Sequence, residues 1–175
     1  MVVVVMGPAG SGKSLVGARL AAALGWAFYE GDAFHPPANV ALMRAGTPLG
    51  DAERAPWLAA LAALVARCVA GGEDAVLTCS ALRQGYRRAL VPAGAPAGAV
   101  AFAYLRAPPE VLERRLAARA GHFFAPALLA SQLAALETPG ADGEPAPVLT
   151  VDADAPPDDV VARVRAALGR KAAER

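Results

Sequence analysis

The sequence predicts an α/β fold, a mostly parallel five-stranded sheet with helices on both faces, and three observations carry that prediction. Apolar runs of strand length alternate with stretches of helical periodicity along the whole chain. The first run, Val2-Val3-Val4-Val5-Met6, passes directly into Gly7-Pro8-Ala9-Gly10-Ser11-Gly12-Lys13-Ser14, a complete G-x-x-x-x-G-K-[ST]. Leu15 to Leu24 then reads as a helix, so strand, glycine loop and helix stand in the order that a phosphate-binding βα unit requires. At 175 residues the chain fits one domain, 1–175.

The remaining elements follow in order. Trp26-Ala27-Phe28-Tyr29-Glu30 has the aromatic enrichment of a strand and brings Gly31-Asp32 to its carboxyl end. Ala33 to Pro37 reads as a loop, and Ala38 to Ala45 as a short helix stopped by Gly46 and Pro48. Asp51 opens a longer helix in which Leu58, Leu61, Leu64, Val65 and Val69 form an apolar stripe ending at Gly71-Gly72. Ala75 to Cys79 is the third strand, followed by Ser80-Ala81-Leu82, a basic helical stretch from Arg83 to Leu90 and a Pro/Gly-rich loop from Pro92 to Gly98. Val100 to Leu105 is the fourth strand, and Pro109-Glu110 starts a helix running to about Arg119. After the interruption Gly121-His122-Phe123-Phe124 come a helix from Ala127 to Glu137, a short strand Val148 to Val151 and a closing helix Asp158 to Leu168. The tail Arg170 to Arg175 is expected to fray. Open parallel sheets bind ligands outside the carboxyl ends of their strands, where Asp32 and Ser80 both fall.

Composition narrows the partners. A net charge of +1 and a pI near 7.8 give neither a nucleic-acid footprint nor a polybasic membrane anchor, so small-molecule partners are expected. Cys68 and Cys79 sit in apolar stretches without C-x-x-C spacing and read as buried free thiols. No segment approaches the ~18 uninterrupted apolar residues of a membrane span. The valine run is too short for a signal peptide, and a reducing cytoplasm is the expected location.

The loop chemistry assigns each fixed position. Consecutive N–H groups curl around phosphate oxygens, Lys13 reaches the β and γ phosphates, and the Ser14 hydroxyl ligates Mg²⁺. Gly7, Gly10, Ser11, Gly12, Lys13, Ser14 and Leu15 are thus the candidate ATP-binding residues. A switch GTPase would carry D-x-x-G and N-K-x-D, and the sequence has neither. A motor ATPase would end its third strand on an acidic residue, where Cys79-Ser80 stands.

A small-molecule kinase needs an acceptor pocket and a water-excluding lid. For the pocket, Asp32 can orient or deprotonate a hydroxyl, while Arg54, Arg83 and Arg87 can hold an anionic group, so a hydroxylated acid is the expected acceptor. His35 either joins the pocket or only bonds its loop neighbours, and Arg88 reads as solvated. For the lid, about residues 115–137, Arg115 and Arg119 share a helix face with no acidic residue three or four positions away, whereas Arg114 has Glu110. Either the pair meets a ligand's anion or it is a solvated basic face. Phe123 and Phe124 serve equally as a mobile cover or as core.

These residues together resemble the gluconokinase family: Gly10-Ser11-Gly12-Lys13-Ser14, Gly31-Asp32 with His35-Pro36, Arg54 with Pro56-Trp57, Cys79-Ser80-Ala81-Leu82 with Tyr86-Arg87, Gly121-His122-Phe123-Phe124 and Glu137-Thr138-Pro139-Gly140. The resemblance runs from Val2 to about Val151. It implies a P-loop kinase fold with a helical lid, like that of shikimate and nucleoside monophosphate kinases. It further implies ATP with Mg²⁺, phosphorylation of D-gluconate on its 6-hydroxyl, and a homodimer. With the residue reading and the resemblance taken together, Lys13, Asp32, Arg115 and Arg119 are the candidate catalytic residues, and Asp32, His35, Arg54, Ser80, Arg83, Tyr86, Arg87 and His122 the candidate substrate-binding ones. Pro8-Ala9 replaces a more usual Val-Ser, Arg83 replaces a frequent lysine, and Ala52 interrupts an acidic run. Arg44 matches nothing in the family pattern and reads as surface. The alternatives are a shikimate or nucleoside monophosphate kinase on the same scaffold and a nucleotide-binding regulator without turnover.

Overall fold

In the computed structural model, which describes residues 1–118, 126–140 and 143–173, five parallel strands lie in the order β2-β3-β1-β4-β5. They are β1 (Val2–Met6), β2 (Ala27–Glu30), β3 (Ala75–Thr78), β4 (Val100–Arg106) and β5 (Val148–Asp152). The helices are α1 (Lys13–Leu24), α2 (Pro37–Arg44), α3 (Asp51–Ala70), α4 (Gln84–Ala89), α5 (Pro109–Ala117), α6 (Pro126–Ala134) and α7 (Pro157–Ala173). β1 is central, Val2 pairing with Ala75 of β3 on one side and with Val100 of β4 on the other.

Strand periodicity divides the core in two. Val2, Val4 and Met6 pack with Leu77, Phe102 and the α3 residues Trp57, Leu61 and Val65 on one face. Val3 and Val5 pack with Leu20 of α1 and with Val160 and Val164 of α7 on the other. Because both faces are covered, β1 needs no polar position and reads as a continuous apolar run. Of the α3 stripe, Leu58, Leu61, Leu64 and Val65 are buried and Val69 packs at the margin. Glu53 accepts from the N–H of Gly50 at 2.8 Å, satisfying a donor at the start of that helix.

Several boundaries move. Gly31 to Phe34 is a 3₁₀ turn rather than open loop, α5 ends at Ala117 and α6 ends at Ala134. α7 runs to Ala173, beyond the Leu168 expected from the sequence. Cys68 and Cys79 are buried free thiols, and burial pushes the Cys79 thiol up to about 12. Among the described residues no helix is long and apolar enough to cross a membrane.

Candidate active site

The carboxyl edge of the sheet opens into a cleft of about 930 Å³ lined by the phosphate loop, Asp32, His35, Ser80, Arg54 and Arg115. The loop is shaped by what surrounds it. The N–H of Gly7 donates to the Ser80 carbonyl at 3.3 Å, and a Cβ on Gly7 would stand 2.9 Å from the Leu105 carbonyl oxygen. Gly7 therefore serves the tight exit from β1. It does not line the cleft, unlike the other six expected ATP-binding residues. At Gly10 φ is +81°, and a Cβ would lie 2.8 Å from the Leu112 carbonyl oxygen on α5. The cradle is thus open to a ligand on one side and closed by α5 on the other.

Lys13 bridges the loop, its Nζ donating to the Pro8 carbonyl at 3.0 Å. Ser14 is exposed in the first turn of α1, which holds no acidic residue to compete with an anion for the helix's positive end. The Ser11 hydroxyl is buried in the loop and, among the described residues, is the only buried side-chain polar atom without a hydrogen-bond partner. An orphaned hydroxyl, glycine-shaped backbone and the N-terminus of α1 fit a polyphosphate. Mg²⁺ fits beside it, because this cation takes one or two protein oxygens and completes its shell with phosphate and water. Ser14 supplies such an oxygen.

Asp32 is exposed on the 3₁₀ turn, which β3 and α3 hold in place. The Gly31 N–H donates to Thr78 Oγ1 at 3.0 Å, and the Gly31 carbonyl accepts from Trp57 Nε1 at 2.8 Å. Thr78 Oγ1 in turn donates to Glu30. His35 stacks on Trp57 with ring centroids 4.3 Å apart and planes 12° from parallel. Its Nδ1 faces Asn39 Nδ2 at 3.3 Å, and the same amide nitrogen donates to the Glu53 carbonyl at 2.7 Å. Burial holds His35 below its ordinary 6.5, Asp32 opposing and Arg54 adding to the shift. The ring is neutral at pH 7, and with Nδ1 accepting from Asn39 its proton sits on Nε2.

Beyond Arg54 a second compartment of about 420 Å³ is lined by Asp51, Arg83 and Tyr86 and shares Leu49, Arg54 and Ser131 with the main cleft. Arg83 pairs with Asp51 at 2.8 Å, and Tyr86 also donates to Asp51, so these groups already have partners. Those contacts, Tyr86's first, hold the Asp51 carboxyl below the usual range. The guanidinium carbons of Arg54 and Arg83 stand 5.9 and 5.7 Å from the centre of the Tyr86 ring. Arg54 donates through Nε to the Leu49 carbonyl at 3.2 Å and forms no ion pair among the described residues. It is the better placed of the two to take an anion.

Arg87 requires correction. It is 1% exposed, bonds Glu144 at 2.6 and 2.8 Å, and donates to the carbonyls of Ala81 and Leu82. These four bonds are made inside the protein, so Arg87 is a structural anchor and lines neither compartment. Arg115 does reach the cleft, half-buried, with one nitrogen donating to the Ala153 carbonyl at 2.7 Å. Arg114 is exposed and meets Asp154 at 4.0 Å rather than Glu110. Arg119 and His122 lie outside the described residues, as do Gly121, Phe123 and Phe124.

Among the described residues, the sequence reading missed three polar lining residues: Arg44, Ser131 and Gln132. Arg44 had a usable signal, since Val40, Met43 and Arg44 all line the cleft at the i, i+3, i+4 spacing of one helix face. With it the cleft holds, among the described residues, four cations, Lys13, Arg44, Arg54 and Arg115, against the single carboxylate of Asp32. Ser80 is presented by Ala81, a buried non-glycine residue at φ +45°.

A family profile described as an AAA domain matches residues 2–139. A gluconokinase of Gluconobacter oxydans strain 621H is 48% identical over 158 residues, 90% of this chain and 85% of that protein. A crystal structure of a gluconokinase from Sinorhizobium meliloti 1021 superposes with a TM-score of 0.83 at 41% identity, covering 98% of this chain and 93% of that one. A shikimate kinase from Aquifex aeolicus vf5, at TM-score 0.59 and 19% identity over 98% of each chain, shares the fold. Identity of 48% across most of both chains goes with a phosphate cradle, a strand-end aspartate and a cationic cleft. This chain belongs to the gluconokinase family, within the phosphate-loop kinases.

Proposed function

We propose that this protein transfers the γ phosphate of ATP to the 6-hydroxyl of D-gluconate, giving 6-phospho-D-gluconate and ADP. The observation that carries the reading is the 48% identity to a gluconokinase over 90% of the chain, combined with a cleft that joins the phosphate loop to an acceptor compartment.

In this reading the loop amides and Lys13 hold the triphosphate, and Ser14 binds Mg²⁺, which neutralises charge on the β and γ oxygens when present. Asp32 orients the acceptor hydroxyl and takes its proton as the bond to phosphorus forms. Because phosphoryl transfer passes through a loose transition state, alignment and charge neutralisation contribute more than base strength. Arg54 binds the gluconate carboxylate, with Arg83 and Tyr86 shaping the compartment and His35 and Ser80 bonding hydroxyls. His35 does so as a donor, through Nε2. Arg115 supplies positive charge to the transferring group, and Arg119 and His122 complete the lid. A homodimer in a reducing cytoplasm is part of the same proposal.

The test is ADP release measured with gluconate, shikimate, AMP and CMP as acceptors. Gluconate should be fastest. Faster turnover of shikimate or of either nucleotide would overturn the assignment, and no turnover with any of them would favour a regulator.

A further inference from the structure

One peptide of the phosphate loop is gripped at both ends. The Pro8 carbonyl accepts from Lys13 Nζ at 3.0 Å, and the N–H of the same peptide, that of Ala9, donates to Gln132 Oε1 at 2.7 Å. Lys13 is the residue that leaves for the β and γ phosphates when a triphosphate binds. Once it leaves, the Pro8 carbonyl keeps only the Ser11 N–H at 3.3 Å, and the shorter bond from Ala9 to Gln132 holds the amide side of this peptide.

The carboxamide is well suited to that position. A backbone N–H only donates, so Gln132 must present its oxygen to Ala9, which leaves the Nε2 hydrogens without a partner among the described residues. Gln132 lines the same cleft as the cradle residues Gly10 to Leu15. The residue is also firmly mounted. Leu129, three positions before it on α6, is buried with Leu112 and Leu116 in a small apolar cluster against which Ala9 and Leu133 pack. The peptide that Gln132 holds is the one on which Lys13 rests, and this places Gln132 at the terminal-phosphate end of the loop.

We propose that Gln132 is a positioning residue of the phosphate loop that also distinguishes ATP from ADP, holding the Pro8–Ala9 peptide through Oε1 and donating through Nε2 to the terminal phosphate. The proposal rests on the nucleotide reading of the cleft. It adds a role for α6 that none of the loop residues supplies.

Two substitutions separate this role from simple support. Gln132→Met removes both bonds. Gln132→Glu keeps an acceptor for Ala9 but loses the donor and places an anion beside the phosphate. Calorimetric titration of each variant and of wild type with ATP and with ADP, in the absence of acceptor, gives the ratio of the two dissociation constants. ATP affinity should fall about tenfold or more in both variants, as expected for a lost hydrogen bond to a charged group, with ADP affinity much less affected. Gln132→Glu should retain the wild-type melting temperature, which shows that the loop is still supported. A fall in the preference for ATP in both variants supports the proposal, and a wild-type preference in either overturns it. Should Gln132→Met fail to fold, Gln132→Glu alone decides. Wild-type protein that binds no ATP would refute the kinase reading as well, whereas wild-type binding with an unaltered preference in the variants refutes only this proposal.

Discussion

A Cβ placed on Gly31 would stand 1.9 Å from the carbonyl oxygen of Thr78. This approach lets the turn bearing Asp32 lie flat against the end of β3, where Thr78 and Trp57 bond both polar groups of the Gly31 backbone. Gly31→Ala must push β3 and the turn apart. A loss of about 3 kcal/mol of stability or more is expected, at the upper end of overpacking effects. Thermal unfolding would show it as a lowered melting temperature, and an unchanged one would contradict the packing.

Breaking the buried pair of Arg87 and Glu144 should act on stability rather than on substrate recognition. Removing one partner leaves the other charge buried, which costs about 3–5 kcal/mol. Urea unfolding of Glu144→Ala and Arg87→Met should shift strongly. The gluconate KM of whatever fraction remains folded should stay near the wild-type value, and a selective rise in that KM would return Arg87 to the acceptor compartment.

Asp32→Asn keeps the size of the side chain but removes its charge and its ability to take a proton. Because Asp32 is exposed in the cleft and supports no packing, kcat should drop by about 10² or more, the usual worth of a positioned proton acceptor, while the protein remains folded. Steady-state kinetics together with a melting curve check both halves, and near-normal kcat would remove Asp32 from the chemistry.

Arg115 and Arg114 form an internal comparison. Arg115 lines the cleft, and Arg114 is exposed with only a 4.0 Å contact to Asp154. Arginines that neutralise a transferring phosphoryl contribute about 10³–10⁵ in kcat, so Arg115→Ala should lose at least about tenfold even if it supplies a minor share. Arg114→Ala should match wild type. Equal small losses in saturating assays would show that the α5 arginines form only a solvated face.

His35 gives a pH dependence whose sign follows from its lowered pKa. As pH falls through the ordinary 6.5 the unfolded chain takes up a proton first, so the folded state binds fewer protons and loses relative stability. The contribution is complete above 6.5 and declines as pH approaches the lower folded value. His35→Phe keeps a ring against Trp57 but does not titrate. Its melting temperature should therefore fall less than that of wild type between about pH 7 and 5.5. Parallel curves would show that His35 is not buried as described.

What the sequence made legible was local. The phosphate loop could be read because its mechanism fixes residues at consecutive positions, and the sheet because β1 and β4 carry unbroken apolar runs. Asp32 and Ser80 were legible as residues just past strand ends. Arg87 was misread because nothing near it in the chain announces Glu144, 57 positions away. Gln132 was missed for the same reason, its partner lying 123 positions upstream. A charged or amide side chain reads identically whether it faces a ligand or a distant partner. Only the packing of the sheet decides.

The central place of β1 also sets an order of assembly. The strand that carries the phosphate loop precedes both of its neighbours in the sequence, and they begin only at Ala75 and Val100. No local hairpin can hold it meanwhile, since parallel partners require long crossovers. On the ribosome, then, the loop stays an unanchored glycine-rich segment until β4 has emerged and closed the second side of β1. Nucleotide affinity would arise late in synthesis, and its onset would mark the moment at which the sheet is complete around its first strand.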